Sequence, residues 1–131
     1  AAIKMNEDIW KTMGRITARD IKEKFSIEEK GLKGLAKFFR YFPWALITEY
    51  EIDVKDHEII VSVPHCPSQE GRLKREMSEY NCKNMHFLFF ESIARELDSN
   101  LEVECLFAPP DPHPRELFCK WRFTAKPDKT G

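Results

Sequence analysis

The chain lacks a long hydrophobic run, an excess of charge of either sign, and any paired-cysteine knuckle. Each absence narrows its function. No stretch approaches the roughly 20 apolar residues of a membrane-spanning helix, so no membrane partner is expected. The 21 basic and 22 acidic residues leave a formal charge of -1. Nothing therefore drives the whole chain toward nucleic acid or an anionic surface. The start has no basic-then-apolar export signal, which makes a reducing cytoplasm the expected compartment and free thiols the expected state. The first residue is Ala1, not Met, so a preceding segment is allowed. There is no phosphate-binding glycine loop, Rossmann glycine fingerprint, G-x-S-x-G or H-E-x-x-H. Internal repeats and low-complexity blocks are also missing.

The 131 residues that are there suffice for one domain, and a domain of this size buries roughly two-thirds of its unfolded surface. Stability then needs no metal or disulfide. Ile9, Met13 and Ile16, continued by Ile21 and Phe25, have helical spacing, with Gly14 weakening the middle. Ser26 and Glu29 have the form of a capping box, opening a helix with Leu32, Leu35, Ala36 and Phe39 on one face and Pro43 at its end.

The period then changes to two. Leu46, Thr48, Tyr50, Ile52 and Val54 alternate with polar residues, and Ile59, Val61 and Val63 form the inward face of a second strand. Pro64 and Pro67 stop that ladder. A polar stretch follows, and its cations Arg72, Lys74 and Arg75 read first as a solvated surface. A helix is expected over 79–97, with Cys82, His86, Phe89, Ile93 and Leu97 as its stripe. Leu101, Val103, Cys105 and Phe107 make a third strand. A proline-rich connection from Pro109 to Pro114 leads to a fourth, with Leu117, Cys119, Trp121 and Phe123 on one face. The expected fold is α+β: a four-stranded antiparallel sheet of two hairpins, with helices packed mainly on one face. Helices over 3–42 precede a core over 45–124, and 125–131 form a tail. The sheet face opposite the later helix is left to the first helices, to water or to a partner, and a homodimer is allowed.

Four cysteines sit singly at the joints of these elements: Cys66, Cys82, Cys105 and Cys119. Folding could gather them, and soft thiolates suit zinc or iron. Buried cysteine is equally at home as a small hydrophobe, and the spacing lacks C-x-x-C pairs. Cys82 near a helix start also suits a nucleophile. His86 shares its helical face. Glu102, three residues before Cys105, should point to the opposite side of a regular strand. Arg72, His86 and His113 are the candidate contacts for a small-molecule ligand. The many aromatic residues read mainly as core, with an aromatic-lined pocket as the second reading.

The stretch Cys66 to Arg72, then Cys82, Cys105, the prolines from Pro109 to Pro114, and the ending Cys119-Lys120-Trp121-Arg122-Phe123 resemble a family of small cytosolic proteins from anaerobic bacteria and archaea with no assigned activity. The pattern is similar to the L-2-amino-thiazoline-4-carboxylic acid hydrolase family. More distantly it resembles the 4-vinyl reductase domain, a small-ligand sensor that can hold zinc. The sensor likeness implies zinc on Cys82, Cys105 and Cys119, with Glu102 or Cys66 as fourth ligand. The hydrolase likeness implies a small cyclic amidine or amide as substrate. The leading expectation is a small-molecule-binding domain with a cysteine-rich zinc site, and the alternative is such a hydrolase.

Overall fold

In the computed structural model, described over residues 2–43, 45, 48–77, 82–109 and 111–126, the first helix, α1 (Ala2–Lys24), runs without a break through Gly14. Its buried face is not the predicted one. Ile9, Met13 and Ile16 are about half exposed, and Phe25 lies beyond the helix end, also exposed. Of the predicted face only Ile21 is buried, and it points inward together with Gly14 and Ala18. A Cβ on Gly14 would meet the Phe89 carbonyl oxygen at 2.6 Å. The missing side chain thus lets α1 lie against the later long helix.

The expected capping box does not form. Ser26 has φ 51° and ends α1 rather than starting the next helix. The Ile27 amide donates to the Lys22 carbonyl at 2.9 Å and the Ser26 amide to Glu23 at 3.4 Å, the paired bonds of a Schellman motif. Helix α2 (Gly31–Tyr41) begins later, after Lys30. Gly31 has φ 64°, which suits glycine, and its amide donates to Asp98 Oδ2 at 2.8 Å. Gly34, Leu35, Phe38 and Phe39 are its buried residues.

Strands β1 (Glu51–Val54) and β2 (Ile59–Val63) form the first hairpin. Thr48 lies in a turn before β1, and Leu46 falls outside the described residues. The stretch after β2 is not irregular: α3 (Pro67–Lys74) follows at once, with Cys66 as N-cap and Pro67 in the first turn. Proline is favoured there because a first-turn amide has no partner within the helix. Helix α4 (Lys83–Leu97) has Cys82 as N-cap, and residues 78–81 of the predicted helix lie outside the described ones. Strands β3 (Leu101–Phe107) and β4 (Cys119–Ala125) complete the sheet, so Ala125 belongs to a strand.

The order is β1-β2-β4-β3, antiparallel throughout, and the fold is α+β as expected. Register fixes the faces. Val63 stands opposite Cys119, Val61 opposite Trp121, Cys105 opposite Trp121, and Val103 opposite Phe123. Cys105 and Cys119 therefore share the inner face. Phe90 of α4 meets Trp121 at 5.3 Å and Phe123 at 5.4 Å, which puts α4 on that face. Phe39 of α2 lies 5.6 Å from Phe123, on the same side. The outer face carries acidic Glu51 and Asp53 on β1, Lys120 and Arg122 on β4, and Glu102 and Glu104 on β3. Arg122 bridges Glu58 at 2.9 Å and Glu104 at 3.4 Å. No described helix is long and apolar enough to cross a membrane.

Candidate functional site

One end of the sheet gathers the residues with chemistry. Cys119 opens β4 and is 3% exposed. Cys105 lies near the end of β3, beside a bulge between Cys105 and Phe107. Cys66 and Cys82 cap α3 and α4. All four are free thiols. Their proximity shows in their electrostatics. Burial pushes the Cys119 thiol up to about 12, Trp121 opposes that shift, and Cys82, Cys66 and Cys105 add to it. Burial likewise raises Cys105 to about 11, with the Lys83 ammonium pulling the other way. Both thiols are held neutral at ordinary pH. The inner pair is therefore poorly suited to act as thiolate nucleophiles.

Gln69, only 1% exposed on α3, donates from Nε2 to Cys82 Sγ at 3.4 Å. The Pro109–Pro114 connection is tied to the start of α4. The Lys83 amide donates to the Pro109 carbonyl at 3.1 Å, and Lys83 Nζ pairs with Asp111 at 2.9 Å. Glu102 is exposed, stands opposite Thr124, and pairs with Lys126 at 3.1 Å. It is on the other face from Cys105, as strand parity predicts. Among the described residues, no group of three or more His, Cys, Asp or Glu side chains is placed to hold a metal ion. As they stand, the donors do not make a preassembled zinc or iron centre.

Beside the thiols lies a cavity of about 350 Å³ between α1 and α4. Trp10, Met13 and Thr17 of α1 form one wall, and Met85, His86 and Phe89 of α4 form the other. Phe42 and Cys66 close it. Trp10 meets Phe89 edge-on at 5.4 Å. Two predicted site residues, Cys66 and His86, line this space; Arg72 and His113 do not. His113 lies in the proline loop against Phe118, its ring 5.5 Å away. The sequence reads Phe42 and Phe89 as core, and it assigns Trp10 no role. The usable signal was the spacing of Trp10, Met13 and Thr17, one helix face with an aromatic, a thioether and a hydroxyl.

His86 links the cavity to the thiols. Its ring lies 4.5 Å from Phe90 and 5.1 Å from Trp121, and Nδ1 is 4.0 Å from Cys119 Sγ. Burial lowers its pKa from 6.5 to about 4. In that window the unfolded chain binds a proton that the folded one does not. Stability is thus fully present above about pH 6.5 and is lost as pH falls toward about 4. Because His86 lines the cavity and is only partly buried, solvent screens the effect, and we expect a loss of about 1–2 kcal/mol. Urea unfolding at pH 7 and pH 4.5 checks this: His86→Gln should lose less stability between them than the wild type. Equal losses would remove His86 as the cause.

No curated protein and no solved structure matches the chain, so neither the hydrolase nor the sensor-domain likeness finds support there. A family model described as a family of unknown function (DUF6125) matches residues 1–125, and the chain belongs to that family.

Proposed function

We propose that this chain is a small-molecule-binding domain whose ligand occupies the cavity between α1 and α4. The carrying observation is the cavity itself: concave, mostly apolar, of ligand size, and furnished with a few polar groups at Thr17, Cys66 and His86. A ligand bound only by the folded state stabilises it by mass action, about 2.7 kcal/mol at a hundredfold excess over Kd. A thermal-shift screen of small ring fragments should yield compounds that raise the Tm of the wild type. Thr17→Phe, which fills the cavity from its α1 wall, should abolish those shifts and keep a cooperative unfolding transition. If no fragment stabilises the wild type, or the hits act equally on a folded Thr17→Phe, the reading fails.

Zinc held by the cysteines is the second reading. What favours it is that Cys66, Cys82 and Cys105 all act on Cys119 from three different elements. Zinc would have to draw the sulfurs together as it bound, so its binding energy would appear as folding stability. Reduced, untagged protein should then carry about one zinc per chain, and a chelator should lower its Tm strongly. Metal-free protein that unfolds at the same temperature with and without chelator ends this reading. The hydrolase alternative rests on Cys82 with its Gln69 contact. It requires turnover of a cyclic amide or amidine that a folded Cys82→Ser loses.

A further inference from the structure

We propose that the cavity takes an uncharged aromatic ring compound and discriminates against carboxylates, an inference that rests on the small-molecule reading above. Among the described residues, no Lys, Arg, Asp or Glu lines the space. A carboxylate brought into it would give up water and meet no counter-charge, which is costly in apolar surroundings. His86 does not supply that charge, because it packs neutral against Phe90 and Trp121.

The walls also select shape. Trp10, Phe42 and Phe89 present aromatic surfaces from three segments, and Trp10 and Phe89 already stand at 88° to each other. A ring entering between them can stack on one while meeting the edge of another. Met13 and Met85 add polarizable thioethers, which make favourable contacts with aromatic edges and adapt to the ligand outline. At about 350 Å³ the space lies at the small end of the range for ligand pockets. The polar atoms are few. Thr17, Cys66 and His86 suit a single neutral donor or acceptor on the ligand, such as a ring N–H or hydroxyl, rather than a charged group.

The direct test compares indole with indole-3-carboxylate, which share the ring and differ in charge. Each is titrated into the full chain in reducing buffer at neutral pH, with NMR reporting the Trp10 side chain and the Phe89 amide. Indole should shift both signals and bind at least about tenfold more tightly than its carboxylate, the ratio equivalent to leaving one polar group poorly solvated. Met13 is 46% exposed at the cavity rim, so Met13→Lys can add a cation without disturbing the core. It should narrow or reverse the ratio. Equal or tighter binding of the carboxylate by the wild type overturns the ligand class and leaves the cavity reading intact. If indole moves neither Trp10 nor Phe89, this inference is overturned, and the fragment screen alone decides the cavity reading. An unchanged ratio in folded Met13→Lys places both ligands elsewhere and also overturns the proposal.

Discussion

Phe90→Ala should cost about 3–5 kcal/mol of stability, the usual penalty for deleting a buried phenylalanine. Phe90 is 0% exposed and stands where the layers meet. Its ring lies within 5.5 Å of Trp121 and Phe123 below it, and 6.1 Å from Phe39 of the neighbouring helix. Truncation removes the ring and leaves a void between rigid neighbours, so the site cannot collapse to recover the contacts. A domain with total stability of about 5–15 kcal/mol then loses a large share of it. The comparison is Phe25→Ala. Phe25 is 47% exposed and stacks on Tyr41 at 4.0 Å, an exposed pair at the surface. That change should cost no more than about 1.5 kcal/mol. Urea denaturation of both variants decides the matter. Similar losses would mean that Phe90 is not at the centre of the core.

Two glycines inside helices should respond to alanine with opposite signs. Glycine in a helix interior is roughly 1 kcal/mol worse than alanine, so propensity alone favours both changes. At Gly71 of α3 nothing lies within 4 Å of an added Cβ. Gly71→Ala should therefore gain about 0.5–1 kcal/mol. At Gly14 the same atom would sit 2.6 Å from the Phe89 carbonyl oxygen and 3.0 Å from Ser92 Cβ. One of those is backbone and cannot swing away, so α1 and α4 must separate. Overpacking of this kind costs about 1–3 kcal/mol and outweighs the propensity gain. Gly14→Ala should be a net loss, read as a lower urea midpoint at unchanged slope. A stabilised Gly14→Ala would show that the two helices are free to part.

The same glycine explains where the sequence stopped being legible. Strand alternation was readable because Val61, Val63, Cys119, Trp121 and Phe123 announce their face by their own hydrophobicity. The packing of α4 on Cys105 and Cys119 follows from it. On α1 the signal pointed the wrong way. Ile9 and Ile16 are apolar yet face outward and Met13 reaches only the cavity rim, whereas Gly14 and Ala18, which carry little apolar surface, occupy the contact. Close approach rewards smallness, which a hydrophobic pattern does not record. Local chemistry had two meanings at Ser26 and Pro67. Serine that could cap a following helix instead closes the preceding one through a positive φ. Proline that stops a ladder also starts a helix. In the candidate site, Cys66 and His86 were singled out for their chemistry, but the cavity they share with Trp10, Phe42 and Phe89 depends on how α1 lies across α4. No periodicity within either helix contains that crossing.

The charge rows on the outer sheet face govern what happens when copies meet. A free strand edge is a template for further pairing, and this sheet has two, at β1 and β3. Glu51 and Asp53 stand on one and Glu102 and Glu104 on the other, while the bases Lys120 and Arg122 are kept one or two strands inward. Two β1 edges approaching each other bring acid against acid before a backbone bond can form, whereas the β3 acids are already paired, Glu102 with Lys126 and Glu104 with Arg122. Charge at the β1 edge thereby opposes growth of the sheet beyond its four strands. That protection weakens as salt shortens the reach of charge, so crowded, high-salt solutions are where this chain would first grow into longer sheets.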